Sequence, residues 1–181
     1  GDAISESILV HTHAVLDQLD ELDVQLGRFA NGMGRAEVLK LDIFEHGPGA
    51  YSTCMNRVKT PVFYEGLDGV LRPRINLIDG RTAIRDDKLS EFGITRKEVQ
   101  DALSALKKVS ENPLNQHAFP FNTGQVLCVS GELLHGRSAF SVDKNNPRFA
   151  LRLRGTSSKY CSLIEERNRL NPDRPALIPG R

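Results

Sequence analysis

In this chain of 181 residues, chemistry is most readily placed on His135 and on the arginines that follow it. His135 stands in Leu133-Leu-His-Gly-Arg137, and the arginines in Arg148-Phe-Ala-Leu-Arg152-Leu-Arg154. The second run alternates, and side chains of a strand point to opposite faces with period two. Arg148, Arg152 and Arg154 therefore share one face, and Phe149, Leu151 and Leu153 the other. Three guanidinium groups side by side repel one another, so a solvated face or a set of ion pairs is one reading. An anion site is the other, because the planar fork of Arg fits a carboxylate bidentately. A lone His is more often structural than a ligand. A His ahead of an Arg-x-x-x-Arg strand is less easily set aside.

The segment Leu133-Leu-His-Gly-Arg-Ser-Ala-Phe140, followed by Arg148-Phe-Ala-Leu-Arg152, resembles a motif of the Fe(II)/2-oxoglutarate-dependent oxygenases. It is similar to the C-terminal motif of their taurine dioxygenase and clavaminate synthase group, which includes hydroxylases of free amino acids. The resemblance implies that His135 is the distal iron ligand and that Arg148 binds the distal carboxylate of 2-oxoglutarate. It implies that Arg152 meets an anionic group of the substrate. The likeness continues upstream through Thr60 to Asn76 and the helix before the His-Gly-Arg strand, and so covers most of the chain.

In that family a Gly-Gly-Glu/Asp-Thr-Leu stretch follows shortly after the first iron motif, His-x-Asp/Glu. Aligned on Gly1-Asp-Ala-Ile-Ser-Glu-Ser7, Ser7 takes the place of the Thr whose hydroxyl helps hold 2-oxoglutarate. A strand-end or capping hydroxyl is the plainer reading of Ser7. Arg81 and Arg74 fall where the family approaches its substrate, although solvent exposure explains both more simply. The His-x-Asp/Glu motif itself is not in the sequence. The chain is therefore expected to be the C-terminal portion of a longer protein; otherwise its metal site has been lost. Other imidazoles offer little: His11-Thr-His13 puts two on one strand face but lacks a carboxylate, His46 lies in a turn, and His117 precedes Ala-Phe-Pro. Arg137 and Arg154 are assigned structural ion pairs.

The elements that must position these residues are partly legible. Gln125-Val-Leu-Cys-Val129 is a nearly continuous apolar run, as expected of a strand covered on both faces, and Ser130-Gly131 breaks it. Asp143 to Pro147 reads as a surface loop. From His13 to Arg28, Leu16, Leu19, Leu22 and Leu26 recur at helical steps, with Asp17, Asp20, Glu21 and Asp23 outside and Gly27 near the end. Val38 to Phe44 alternates like a strand. Thr60 to Tyr64 and Val70 to Asn76 make a hairpin about the Gly66–Gly69 turn, with Pro73 demoting the second strand to an edge. Thr95-Arg-Lys-Glu98 is a capping box opening a helix that Asn112-Pro113 stops. Phe119 to Phe121 suggests an edge strand and Ser157 to Leu170 a short helix; the tail from 171 to 181 is proline-rich and irregular.

Length and composition bound the rest. The chain is one domain's worth, and its 26% charged and 39% apolar residues are ordinary globular values. A net charge of +1 argues against a nucleic-acid partner. No stretch approaches the roughly 18 apolar residues of a membrane span, and no secretory signal opens the chain. Cys54, Cys128 and Cys161 are odd in number and far apart, which suits free thiols in the cytoplasm.

The expected fold over residues 1–181 is a single domain, mainly β with flanking α-helices. It is a distorted double-stranded β-helix (jelly roll), incomplete at the N-terminus if the chain is a portion. The function the resemblance implies is a dioxygenase that uses Fe(II), 2-oxoglutarate and O2 to oxidise an unactivated C–H of a small, anionic, amino-acid-like substrate, releasing succinate and CO2. The other reading is a metal-free jelly-roll module that binds an anion or a partner chain. The sequence names neither the substrate nor the oligomeric state, a homodimer included.

Overall fold

The computed structural model describes residues 6–47, 57–75, 81–120, 125–137 and 158–170. Within them, helices combine with small antiparallel sheets. Strand β1 (Glu6–His11) runs without a loop into helix α1 (Thr12–Leu26), and α2 (Arg35–Val38) follows. Strands β2 (Phe44–His46), β3 (Val58–Lys59), β4 (Phe63–Glu65), β5 (Leu71–Pro73) and β6 (Thr82–Ile84) come next. Helices α3 (Asp86–Leu89) and α4 (Arg96–Glu111), strands β7 (Gln116–Pro120) and β8 (Leu133–Arg137), and helix α5 (Ser158–Leu170) complete the order. The strands form three sheets, ordered β7-β1-β8, β3-β2-β6 and β4-β5. No described helix is long and apolar enough to cross a membrane.

The leucine stripe of α1 does what its spacing predicts at Leu16 and Leu19, which are buried with Val15, while Leu26 is 68% exposed. Gly27 ends the helix at φ +83°, a conformation that costs glycine little, and its N–H donates to Asp23 O at 3.0 Å. Asp23 departs from the expected pattern. Rather than facing water it is buried, and it accepts the backbone N–H of Arg35 at 2.8 Å together with the Arg35 guanidinium. Arg35 also donates to Gly27 O at 3.0 Å and lies 5.1 Å from the Phe29 ring centroid. A charge buried this deeply persists only when paired, so this cluster locks the turn from α1 into α2.

The segment expected to be a strand from Val38 to Phe44 is instead the end of α2, a turn, and the start of β2. The alternation misleads because Val38, Leu39, Ile43 and Phe44 are all fully buried, which a two-faced strand pattern does not anticipate. The reading holds at the β4–β5 hairpin, the α4 capping box and α5. Strands β4 and β5 pair as a hairpin, Phe63 opposite Pro73, with Gly69 N–H to Gly66 O at 3.0 Å closing the turn. Thr95 and Glu98 exchange hydrogen bonds at the start of α4 (Glu98 N to Thr95 Oγ1 3.3 Å, Thr95 N to Glu98 Oε2 2.8 Å), and the helix stops at Glu111. Strand β7 stands at one edge of the described sheet, and α5 matches the expected helix to within a residue.

One apolar cluster ties these parts together. It takes Val10 from β1, Val15, Leu16 and Leu19 from α1, Val38 from α2, Phe44 from β2 and Phe63 from β4. From α4 it takes Val99, Ala102, Leu106 and Val109. Side-chain amides reinforce the junction where α4 gives way to β7: Asn115 Nδ2 donates to Gln18 Oε1 of α1 at 2.8 Å and to Val109 O at 2.7 Å. Gln18 Nε2 returns a bond to Asn115 Oδ1.

Candidate functional site

The sheet β7-β1-β8 positions the residues of interest. Strand β1 is central and antiparallel to both neighbours. Its register places Ser7 opposite Arg137, Leu9 opposite His135 and His11 opposite Leu133 on one side. On the other side Ser7 meets Phe119 and Leu9 meets His117. Residues directly opposite share a face, and alternate residues along a strand do too. One face of the sheet thus carries Ser7, Leu9 and His11 in the middle, His135 and Leu133 on one flank, and His117 and Phe119 on the other. The opposite face carries Ile8, Val10 and Leu134, which pack on the core cluster.

Ser7 and His135 come together here. They are diagonal neighbours on adjacent strands, a relation that spans about 7–8 Å between Cα atoms. Ser7 is 9% exposed although its face is turned away from the core cluster, whereas His135 is exposed. A buried hydroxyl beside an accessible imidazole can offer one hydrogen bond and one nitrogen ligand to a small molecule or metal. No family model and no curated protein matches the sequence. The site therefore rests on its own residues.

The turn leading into β8 is built locally. Leu133 N–H donates to Ser130 O at 3.2 Å, and Ser130 Oγ donates to the Glu132 carboxylate at 3.1 Å. The buried Thr12 hydroxyl donates to Glu132 O, fastening this turn to the junction of β1 and α1. The stretch before it corrects an expectation. Gln125 to Val129 is no buried strand: it has no regular structure, Val126 is 87% exposed and Cys128 is exposed. A short apolar run carries no periodic signal by which burial can be told from exposure.

Among the described residues, Arg81 is not on this sheet. Arg81 precedes β6 in the other three-stranded sheet, where its carbonyl accepts Gly47 N–H at 2.7 Å and its side chain is half-buried. Arg74 is exposed, as expected. Arg148, Arg152 and Arg154 lie outside the described residues, as do the Asp143–Pro147 loop, Cys54 and the tail from 171.

The remaining histidines also find their places. His11 ends β1 and Thr12 opens α1, so His11 and His13 do not share a strand face. His11 instead meets His117, their ring centroids 5.7 Å apart and their planes perpendicular. No local signal in the sequence announces that pair, because only the β1–β7 register brings the two residues together. His46 is no turn residue. It is buried in β2, with Nε2 3.0 Å from Thr60 O and Nδ1 3.2 Å from Thr82 Oγ1. The carbonyl can only accept, so Nε2 carries the proton and Nδ1 accepts from the threonine hydroxyl. Both nitrogens are thereby committed to the fold. Among the described residues no group of three His, Cys, Asp or Glu side chains is arranged to hold a metal ion.

Proposed function

We propose that this chain belongs to an Fe(II)- and 2-oxoglutarate-dependent dioxygenase that oxidises a small, anionic, amino-acid-like substrate. The observation that carries the reading is the juxtaposition of buried Ser7 with accessible His135 on one sheet face, the two positions the sequence resemblance assigns to 2-oxoglutarate and iron. The sheet β7-β1-β8 would form one wall of a distorted jelly roll's mouth, the kind of concave site where small ligands bind.

The described residues supply one imidazole and do not complete a facial triad of two His and one carboxylate. Iron, with 2-oxoglutarate and O2, would supply the oxidation of an unactivated C–H bond, with succinate and CO2 released. What this chain's residues do is bind and orient. His135 would hold the metal through one ring nitrogen. Ser7 would donate its hydroxyl to a carboxylate of 2-oxoglutarate, and Arg148 would pair with the distal carboxylate, a charge-assisted bond contributing about 1.5–3 kcal/mol. Arg152 would fix a substrate carboxylate, sulfonate or phosphonate so that the target carbon faces the metal, with Arg81 a second substrate contact. Cytoplasmic location belongs to the same proposal.

Anaerobic titration of the purified protein with Fe(II) and 2-oxoglutarate tests it. A visible charge-transfer band that is lost in His135→Ala is the expected result. Absence of the band from the intact protein overturns the assignment and leaves a metal-free anion- or partner-binding module. Arg148→Ala should abolish 2-oxoglutarate turnover while leaving the circular dichroism spectrum unchanged; unaltered turnover removes the cosubstrate role.

A further inference from the structure

The face that carries Ser7 and His135 holds two more imidazoles, and they touch each other. His11 stands on β1 and His117 on β7, each exposed, in diagonal register across the strand pair. Their rings meet edge to face with centroids 5.7 Å apart. Two imidazoles bound to one tetrahedral zinc, each through nitrogen at about 2.0–2.1 Å, hold their ring centroids about 5 Å apart. The observed separation exceeds this by a margin that rotation of two exposed side chains closes. His117 is separated from the proposed iron site by β1, with Leu9 between it and His135 in the register, whereas His11, like Ser7, is a diagonal neighbour of His135 on the same face.

We propose that His11 and His117 form a second, two-imidazole site for a borderline divalent transition metal, zinc above all, independent of the ligand role given to His135. Imidazole suits zinc, nickel and copper, and neutral ring nitrogens bind without a partner carboxylate. With no third donor grouped with them among the described residues, water completes the coordination, and the site exchanges its metal readily. Antiparallel pairing of β1 and β7 fixes the two Cα positions, so the chelate is preorganised by the backbone while the rings remain free to turn.

Zinc titration followed by histidine-ring proton–nitrogen NMR tests this directly. Ring nitrogens of His11 and His117 are expected to shift together and saturate at one equivalent. Either His11→Asn or His117→Asn should weaken zinc binding about a hundredfold, since the second imidazole of a chelate acts as a tethered ligand. Both residues are exposed, so neither change threatens the fold. His13→Asn and His135→Asn should leave the affinity unaltered, the latter keeping this site distinct from the iron reading. Shifts confined to one ring, no shift at either, or loss of the effect in His13→Asn or His135→Asn would each overturn the proposal.

Discussion

His46 shows what a single buried imidazole does to a fold. Burial, ahead of the charge of Arg74, pushes its pKa below the ordinary 6.5, although the Thr60 carbonyl pulls the other way. In the folded chain the ring stays neutral under conditions where the unfolded chain takes up a proton. The contribution is therefore fully present above about pH 6.5, and it declines as the pH falls from there toward the lowered folded value. Urea unfolding at about pH 7.5 and about pH 5.5 should show lower stability at the acid point, and His46→Gln should flatten the difference. Ser110 is the opposite case. Its hydroxyl is buried near the end of α4 with no hydrogen-bond partner among the described residues. Ser110→Ala should raise the unfolding free energy by about 1 kcal/mol, because it removes an unsatisfied polar group and adds a better helix former. An unchanged or lower denaturation midpoint would mean the hydroxyl is satisfied.

At the scale of elements, the strongest constraint is the clasp between α1 and α2. Asp23→Ala leaves the mostly buried Arg35 guanidinium without its acid, and should cost about 3–5 kcal/mol in chemical denaturation. Gly34→Ala should also be severe, since its added Cβ would come within 2.3 Å of the Asp23 carboxylate. Thr95→Ala at the start of α4 should cost only about 1 kcal/mol, the ordinary value of a lost helix cap. These examples divide what sequence can express from what it cannot. The Thr95–Glu98 box, the Gly27 stop and the Gly66–Gly69 hairpin are short-range devices, with cause and effect a few residues apart. Asp23 read as solvent-facing because its partner, Arg35, acts across a turn that no periodicity describes. Gln125 to Val129 read as buried because an apolar run is silent about whether anything covers it. The site divides the same way. Ser7 and the metal role of His135 are nominated only through the family resemblance their segments carry, whereas the meeting of His11 with His117 depends on strand register alone.

Across the whole molecule, the core cluster draws on β1, β2, β4 and the four helices from α1 to α4, so no described sheet stands on its own. Unfolding followed by near- and far-ultraviolet circular dichroism should give coincident transitions over that unit. Non-coincidence would place a cooperative boundary inside it. Within this body β1 has an unusual position: it is the middle strand of its sheet and continues at His11–Thr12 directly into α1. The Thr12 hydroxyl and the Gln18–Asn115 amides brace the same segment against the Glu132 turn and the end of α4. Strand and helix thus behave as a single strut, with Ser7 near one end and the α1–α2 clasp at the other. Whatever settles against Ser7 and His135 should be felt along its length, as slower amide deuterium exchange in α1 well away from the ligand.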